Sequence, residues 1–348
     1  MEIIQQGAIF SPAETYPFSE GYFCNFNHAP NLVELNNRNL LAAWFSGPWE
    51  GHPFQKILMS RFNGNMWSDP EVLQNTQGVS DFDPAFVRSG SKIYLFYSNA
   101  RWFSPKLHGE KKGFLGTHYR WTTDAGQSWS EPRLLSADHG CRSNGVCLKN
   151  GYLLLPVFNR KTNQAGIFMS TDEGYNWELY ECDPINTGMG EPSVIELTEG
   201  HILMIARTIT GTLWISESMD TGKNWTTPKS SGIESYNSPA SLLKNNNSIL
   251  ICYNYGKSRD KLCLNSTESL SFQWESTLVI DQIKNSSLLK SNSIHPSGSD
   301  CAVTYPSIIK YSDSKIMLAW SRYEINENEH KGKIRYCIVE IKEDSFAR

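Results

Sequence analysis

The feature that most constrains this chain is a short pattern, [Ser/Thr]-x-Asp-x-Gly-x-x-Trp, found at Thr122–Trp129, Ser170–Trp177 and Ser218–Trp225. A worn copy, Ser60–Trp67, keeps Ser, Gly and Trp but lacks the acidic residue, with Phe62 at its position and the polar Asn63 beside it, and another surrounds Ser266-Thr267-Glu268 with Trp274 one place late. The starts at 122, 170, 218 and 266 are 48 residues apart, and the 62 residues from 60 to 122 imply an insertion in the first interval. A period of this length marks a repeat architecture in which each unit buries its faces against its neighbours. In each box the Asp accepts backbone N–H bonds in the turn, Gly supplies the positive φ, and Trp fills the space between sheets. That reading gives the boxes a structural role and no chemistry.

Gly190–Trp225 is the clearest unit. Three short runs rich in β-branched and apolar residues, Pro192–Glu196, Ile202–Ala206 and Leu213–Glu217, are punctuated by Gly and polar turns, which is the signature of antiparallel strands. First strands of this kind occur at 28–35, 83–87, 142–148, 191–197, 237–243 and 305–311, and second strands at 39–45, 92–98, 152–158, 201–207, 248–254 and 315–321. Six of each predict an all-β, six-bladed β-propeller occupying 1–348 as one domain. After the last second strand only Lys333–Ile341 remains as a strand, so the N-terminal segment Glu2–Phe10 is expected to complete the last blade and remove an open edge. Trp102–Gly116 and Ile283–Asp300 read as inserted loops.

The boxes are those of the Asp-box, or BNR, repeats, and the whole chain resembles the sialidase-like β-propeller superfamily. The aromatic content of 12% suits a propeller with an aromatic-lined cleft. A net charge of −4 offers no basic field for nucleic acid or anionic membrane. The amino terminus has no basic or apolar export region and no later run approaches a membrane span, so a soluble, cytoplasmic protein is expected. The eight cysteines show no CxxC and are expected as buried, reduced thiols; with the eight histidines they show no metal-ligand spacing, and no cofactor is implied.

If the boxes close the turns between third and fourth strands, first-strand entrances and loops between second and third strands share the opposite face, around the axis. The entrances supply His28, Asp83, Arg142, Glu191, Asn237 and Tyr305; the loops supply Glu50, His52, Arg207 and Arg259. Several guanidiniums aimed at one point make a carboxylate clamp. A Tyr beside a Glu becomes a nucleophile once the carboxylate accepts the phenolic proton. By resemblance, Gly190–Leu197 matches the sialidase segment whose Glu partners the nucleophile, Arg207 and Arg259 match clamp arginines, with Arg142 as a further candidate for the clamp, and Tyr305 matches the nucleophile. The first blade departs from the pattern: His28 stands where a clamp arginine is usual, and His52 or Glu50 stands where the acid/base Asp is usual. Asn237 adds a substrate contact, and Asp83 completes the rim.

The resemblance implies a sialidase-like exo-glycosidase acting on a terminal acidic sugar. Two histidines opposite arginines also suit β-elimination from a uronate, as in propeller lyases of the wider superfamily, and a carbohydrate-binding propeller without catalysis is the third alternative.

Overall fold

The computed structural model describes residues 1–12, 26–35, 39–101, 113–183, 185–268, 270–274, 276–283, 302–326 and 329–341. They form six antiparallel sheets and, among the described residues, no helix. After β1 (Glu2–Phe10), blade one contains β2 (Phe26–Glu34), β3 (Leu40–Gly47), β4 (Lys56–Phe62) and β5 (Glu71–Gln74). Blade two contains β6 (Ser80–Ser89), β7 (Lys92–Ala100), β8 (Phe114–Thr122) and β9 (Arg133–Ser136). Blade three contains β10 (His139–Cys141), β11 (Val146–Cys147), β12 (Leu153–Asn159), β13 (Ala165–Ser170) and β14 (Glu178–Glu181). Blade four contains β15 (Gly190–Thr198), β16 (His201–Arg207), β17 (Thr212–Ser218) and β18 (Lys229–Glu234). Blade five contains β19 (Ser241–Asn245), β20 (Ser248–Asn254), β21 (Lys261–Thr267) and β22 (Ser276–Gln282). Blade six contains β23 (Ala302–Ser312), β24 (Lys315–Asn326) and β25 (Glu329–Glu340). Its outer strand is β1, which pairs antiparallel with β25 from Glu2↔Glu340 to Phe10↔Ile334. The molecule is a six-bladed β-propeller in which the first strand of the chain closes the last blade.

Second strands are covered on both faces by adjacent blades, which explains their continuous apolar runs; every residue of β3 is buried. Outer strands keep one face in water and alternate accordingly, as in β1. Six buried clusters result, one at each junction between blades. The Trp residues of the boxes and their worn copies, Trp67, Trp129, Trp177, Trp225 and Trp274, pack into five of them. The sixth, between blades five and six, is filled instead by Trp320 and its aliphatic neighbours.

The box turns are tied as their residue types dictate. In the blade-three copy, Gly174 N–H donates to Ser170 Oγ at 2.8 Å and Asn176 N–H to Asp172 Oδ1 at 2.9 Å. Gly174 has φ +81°, and a Cβ there would stand 2.3 Å from the Tyr94 hydroxyl of the preceding blade. The turn is therefore a joint between blades as well as a cap on its own.

A second recurring device faces the axis. The ladders of β2, β6, β15 and β23 each break near the start of the strand, between His28 and Asn31, Phe82 and Ala85, Gly190 and Ser193, and Thr304 and Ser307. Within each break a residue with positive φ precedes a proline: Ala29 (51°), Asp83 (51°), Glu191 (49°) and Tyr305 (58°). Left-handed backbone is costly for residues with a Cβ, and a bulge re-aims the side chain that carries it. Three of these four positions hold Asp, Glu and Tyr. In blade one the equivalent place belongs to Ala29, with His28 one residue earlier.

Blade three departs from the expected continuous strand at 142–148. On the inner side of β12 the pairing is confined to the short β10 and β11, and the stretch from Arg142 to Gly145 between them bonds to other blades instead. Asn144 accepts Phe86 N–H at 2.9 Å and donates to Leu32 O at 2.7 Å, while Asn31 Nδ2 donates to Arg142 O at 2.6 Å. A Cβ on Gly145 would meet Leu154 O at 2.0 Å, so the backbone lies too close to β12 for a side chain. The first strand of blade five likewise starts at Ser241, later than Asn237. Most of the two expected inserted loops, 102–112 and 284–300, lies outside the described residues, and β8 begins at Phe114, before the expected end of the first. Six described cysteines are free; five are buried and Cys147 is exposed, while Cys24 and Cys301 lie outside the described residues.

Candidate active site

The four inner-strand bulges and the loops after the second strands converge at one end of the axis. Tyr305 Oη donates to Glu191 Oε1 at 3.2 Å. Arg207, the last residue of β16, bridges them: Nη1 donates to Tyr305 Oη at 3.2 Å and Nη2 pairs with Glu191 Oε1 at 2.9 Å. Phenol, carboxylate and guanidinium thus form a closed triangle built from blades four and six.

Two more guanidiniums flank the phenol. Arg142 lies over the Tyr305 ring at 5.0 Å and donates through Nη2 to Pro306 O at 3.0 Å. Arg259 lies 5.6 Å from the same ring and donates through Nη2 to the Asn237 carbonyl at 2.6 Å. Asn237 therefore meets the site through its backbone oxygen. His28 packs against Tyr305 from blade one, ring centroids 4.1 Å apart, amid Phe26, Phe45 and Tyr323.

Glu50 and His52 share the loop between β3 and β4 but differ in setting. His52 packs edge-on to Trp49 at 4.2 Å and accepts Phe54 N–H on Nδ1 at 3.0 Å, and burial lowers its pKa. Glu50 lies in the field of the site. Burial pushes its carboxyl up to about 7, opposed by Arg259 and reinforced by Glu191. The loop is anchored by Gln55, which accepts Gly51 N–H at 2.8 Å and donates to Asp81 O at 2.9 Å, two residues before Asp83.

Burial also raises Asp83, to about 8, with Glu191 adding to the effect and Arg160 opposing it. The Tyr305 phenol is pushed up to about 12 by burial, against the pull of Arg207. Burial works against the Arg207 cation, but Glu191 and Tyr305 outweigh it and raise its pKa. Near neutral pH Asp83 therefore holds a proton and Glu50 is divided between its two forms, so four guanidiniums confront few ionised carboxylates. The site is cationic on a chain whose net charge is negative, an arrangement that attracts anions.

All ten residues singled out in the sequence lie at this end of the propeller, with Ala29 rather than His28 at the blade-one bulge. Arg160 and Tyr323 escaped the sequence reading. Arg160 lies within about 5.5 Å of the Phe82, Phe114 and Phe158 rings and is felt by both Glu50 and Asp83. Tyr323 Oη donates to Asn27 O at 2.6 Å. A signal existed for both: Arg160 follows β12 as Arg207 ends β16, 47 residues later, and Tyr323 lies near the end of β24.

The model of the BNR repeat-like domain matches residues 38–318, most of the chain. The chain belongs to the BNR repeat-like family. Two curated relatives are similar to parts of this BNR protein: a sialidase of Micromonospora viridifaciens, 26% identical over 209 residues, and an anhydrosialidase of Macrobdella decora, 25% identical over 119. These matches span 51% and 30% of the chain but only 32% and 16% of the relatives' own lengths. Among solved structures, a protein of unknown function from Dyadobacter fermentans superposes with a TM-score of 0.75 at 17% identity, covering 98% of this chain and 99% of that one. The NanB sialidase of Streptococcus pneumoniae gives 0.72 at 16%, covering 96% and 70%, and the intramolecular trans-sialidase of Ruminococcus gnavus 0.72 at 14%, covering 91% and 95%. At these identities the structural likeness establishes the BNR propeller fold alone.

Proposed function

We propose that this BNR propeller is a retaining exo-glycosidase that removes a terminal, carboxylate-bearing sugar from a glycan. The observation that carries the reading is the Tyr305–Glu191–Arg207 triangle. Arg207 and Arg259 hold the sugar carboxylate. Tyr305 Oη attacks the anomeric carbon, its proton passes to Glu191, and the bond to the leaving oxygen breaks as Glu50 protonates that oxygen. A water then attacks the same carbon, giving its proton to Glu50, while the Tyr305–sugar bond breaks and Glu191 returns the phenolic proton. Tyr suits an anionic substrate because a neutral phenol approaches a carboxylate without repulsion. A nucleophile and an acid on opposite sides of the sugar give net retention by two displacements. The named sialidases among the relatives support a sialic-acid-type sugar as the first candidate.

Elimination from a uronate is a second reading, favoured by one contact: His28 packs directly on Tyr305 at 4.1 Å, placing an imidazole beside the phenol. The deciding experiment incubates the purified chain with glycans ending in sialic acid or in a uronate and reads products by mass. Release of the intact free sugar with one solvent oxygen supports the hydrolase. An unsaturated uronate without solvent oxygen supports elimination, and affinity without turnover contradicts both.

A further inference from the structure

The guanidiniums around Tyr305 are not equivalent. The Arg207 side chain keeps 21% of its surface exposed, whereas Arg142 keeps 1% as a residue. Arg142 is fixed from two sides: its carbonyl accepts Asn31 Nδ2 at 2.6 Å and its Nη2 donates to Pro306 O at 3.0 Å, the residue after Tyr305. Its Nε and Nη1 are buried and have no hydrogen-bond partner among the described residues. A group so enclosed is not presented to an incoming carboxylate, but it stands 5.0 Å over the Tyr305 ring. A cation over an aromatic face stabilises that ring, and more so once the ring bears negative charge in a site from which water is excluded.

We propose that Arg142 is a positioning residue for Tyr305: its buried guanidinium fixes the phenol ring and stabilises the charge that develops on it during attack, and it does not hold the substrate carboxylate. The inference rests on Tyr305 as the attacking group. It also accounts for the first blade, where the position held by a clamp arginine in the resemblance belongs to His28; positive charge beside the phenol comes instead from blade three. Burial lowers the Arg142 pKa, and Glu191 and Tyr305 oppose it. The other charged or titratable groups that act on Tyr305 or pack against it are Glu191, Arg207, Arg259, Asp83, His28 and, across His28, Tyr323.

The test compares the full chain with Arg142→Met, Arg142→Lys and Arg259→Met, each checked for cooperative thermal unfolding. Trifluorotyrosine installed at position 305 brings the phenol titration toward neutral pH and gives it a fluorine signal read without substrate. Affinity for free N-acetylneuraminic acid and free glucuronic acid is measured separately. Arg142→Met is expected to raise the fluorophenol titration by about tenfold in the ionisation constant, with Arg142→Lys between it and the parent. Affinity for the sugar acid stays within about twofold, whereas Arg259→Met weakens it by about tenfold or more. An unmoved titration in Arg142→Met, or a loss of affinity equal to that of Arg259→Met, overturns the inference. Should Arg142→Met fail to unfold cooperatively, Arg142→Lys carries the same two readouts. If the parent binds neither acid, the acidic-sugar reading fails, and the titration still decides the role of Arg142.

Discussion

Tyr305 and Glu191 lie 114 positions apart, each on left-handed backbone immediately before a proline, and their side chains meet at 3.2 Å. The bulge that strains each strand is the device that turns each side chain to the axis. Backbone strain and the candidate site coincide at the same residues, as they do where a fold over-determines a functional geometry.

The pair makes a direct prediction. Tyr305→Phe removes the proposed attacking oxygen but keeps the ring, so turnover falls by about a thousandfold or more while affinity for a free sugar acid stays within about threefold. Steady-state kinetics beside calorimetric titration check both halves. Equal loss of affinity and rate assigns Tyr305 to binding.

In the proposed mechanism Glu50 protonates the leaving oxygen, so the sign of its pH dependence is fixed. Its carboxyl, raised to about 7, loses its proton as pH climbs through that value, and kcat/KM falls on the alkaline side. Glu50→Gln removes that limb and lowers the rate on natural glycans by about 10²- to 10⁴-fold, with a much smaller loss on an aryl glycoside that leaves without protonation. His52→Ala, by contrast, leaves the alkaline limb in place.

Asp83 tests the same electrostatics through stability. Its folded pKa, about 8, lies above the ordinary value of 3.8, so the folded state holds a proton that the unfolded state has lost across the intervening range. Stability conferred by the neutral carboxyl is complete below about 4 and is lost as pH rises toward 8, by up to about 1.4 kcal/mol per pH unit. Denaturant unfolding of Asp83→Asn follows: its stability relative to the parent grows between those limits and levels off above them.

The boxes are structural joints, and Ser170→Ala separates them from the chemistry. It removes the acceptor for Gly174 N–H and the donor to Asp172, costing about 1–2 kcal/mol in denaturant unfolding. The kcat of the variant at a temperature where it remains folded equals that of the parent.

The propeller was legible in the sequence because its evidence is repetitive: the same box at a spacing of 48 and the same two strands six times over. Closure followed by subtraction, since one strand was missing at one end and present at the other. Convergence of Tyr305, Glu191, Arg207 and Arg259 followed from topology, because in a ring every strand entrance meets the axis. The sequence did not disclose how the bulges align the blades, so His28 and Ala29 were indistinguishable until the register of β2 was seen. Nor did it separate Glu50 from His52, two residues apart in one loop, since only the surrounding charges distinguish them. Arg142 read as a further clamp residue because burial is invisible in a motif; the break between β10 and β11 sets that guanidinium inward.

The central claim is that Tyr305 attacks the anomeric carbon. A fluorinated sialic acid carrying a good leaving group is incubated with the chain, and the protein is digested and mapped by mass. The account predicts one sugar adduct, on Tyr305, that forms in the parent and in Arg142→Lys and is absent from Tyr305→Phe. Turnover of an acidic glycan by a protein that forms no such adduct, or an adduct on any other residue, contradicts it.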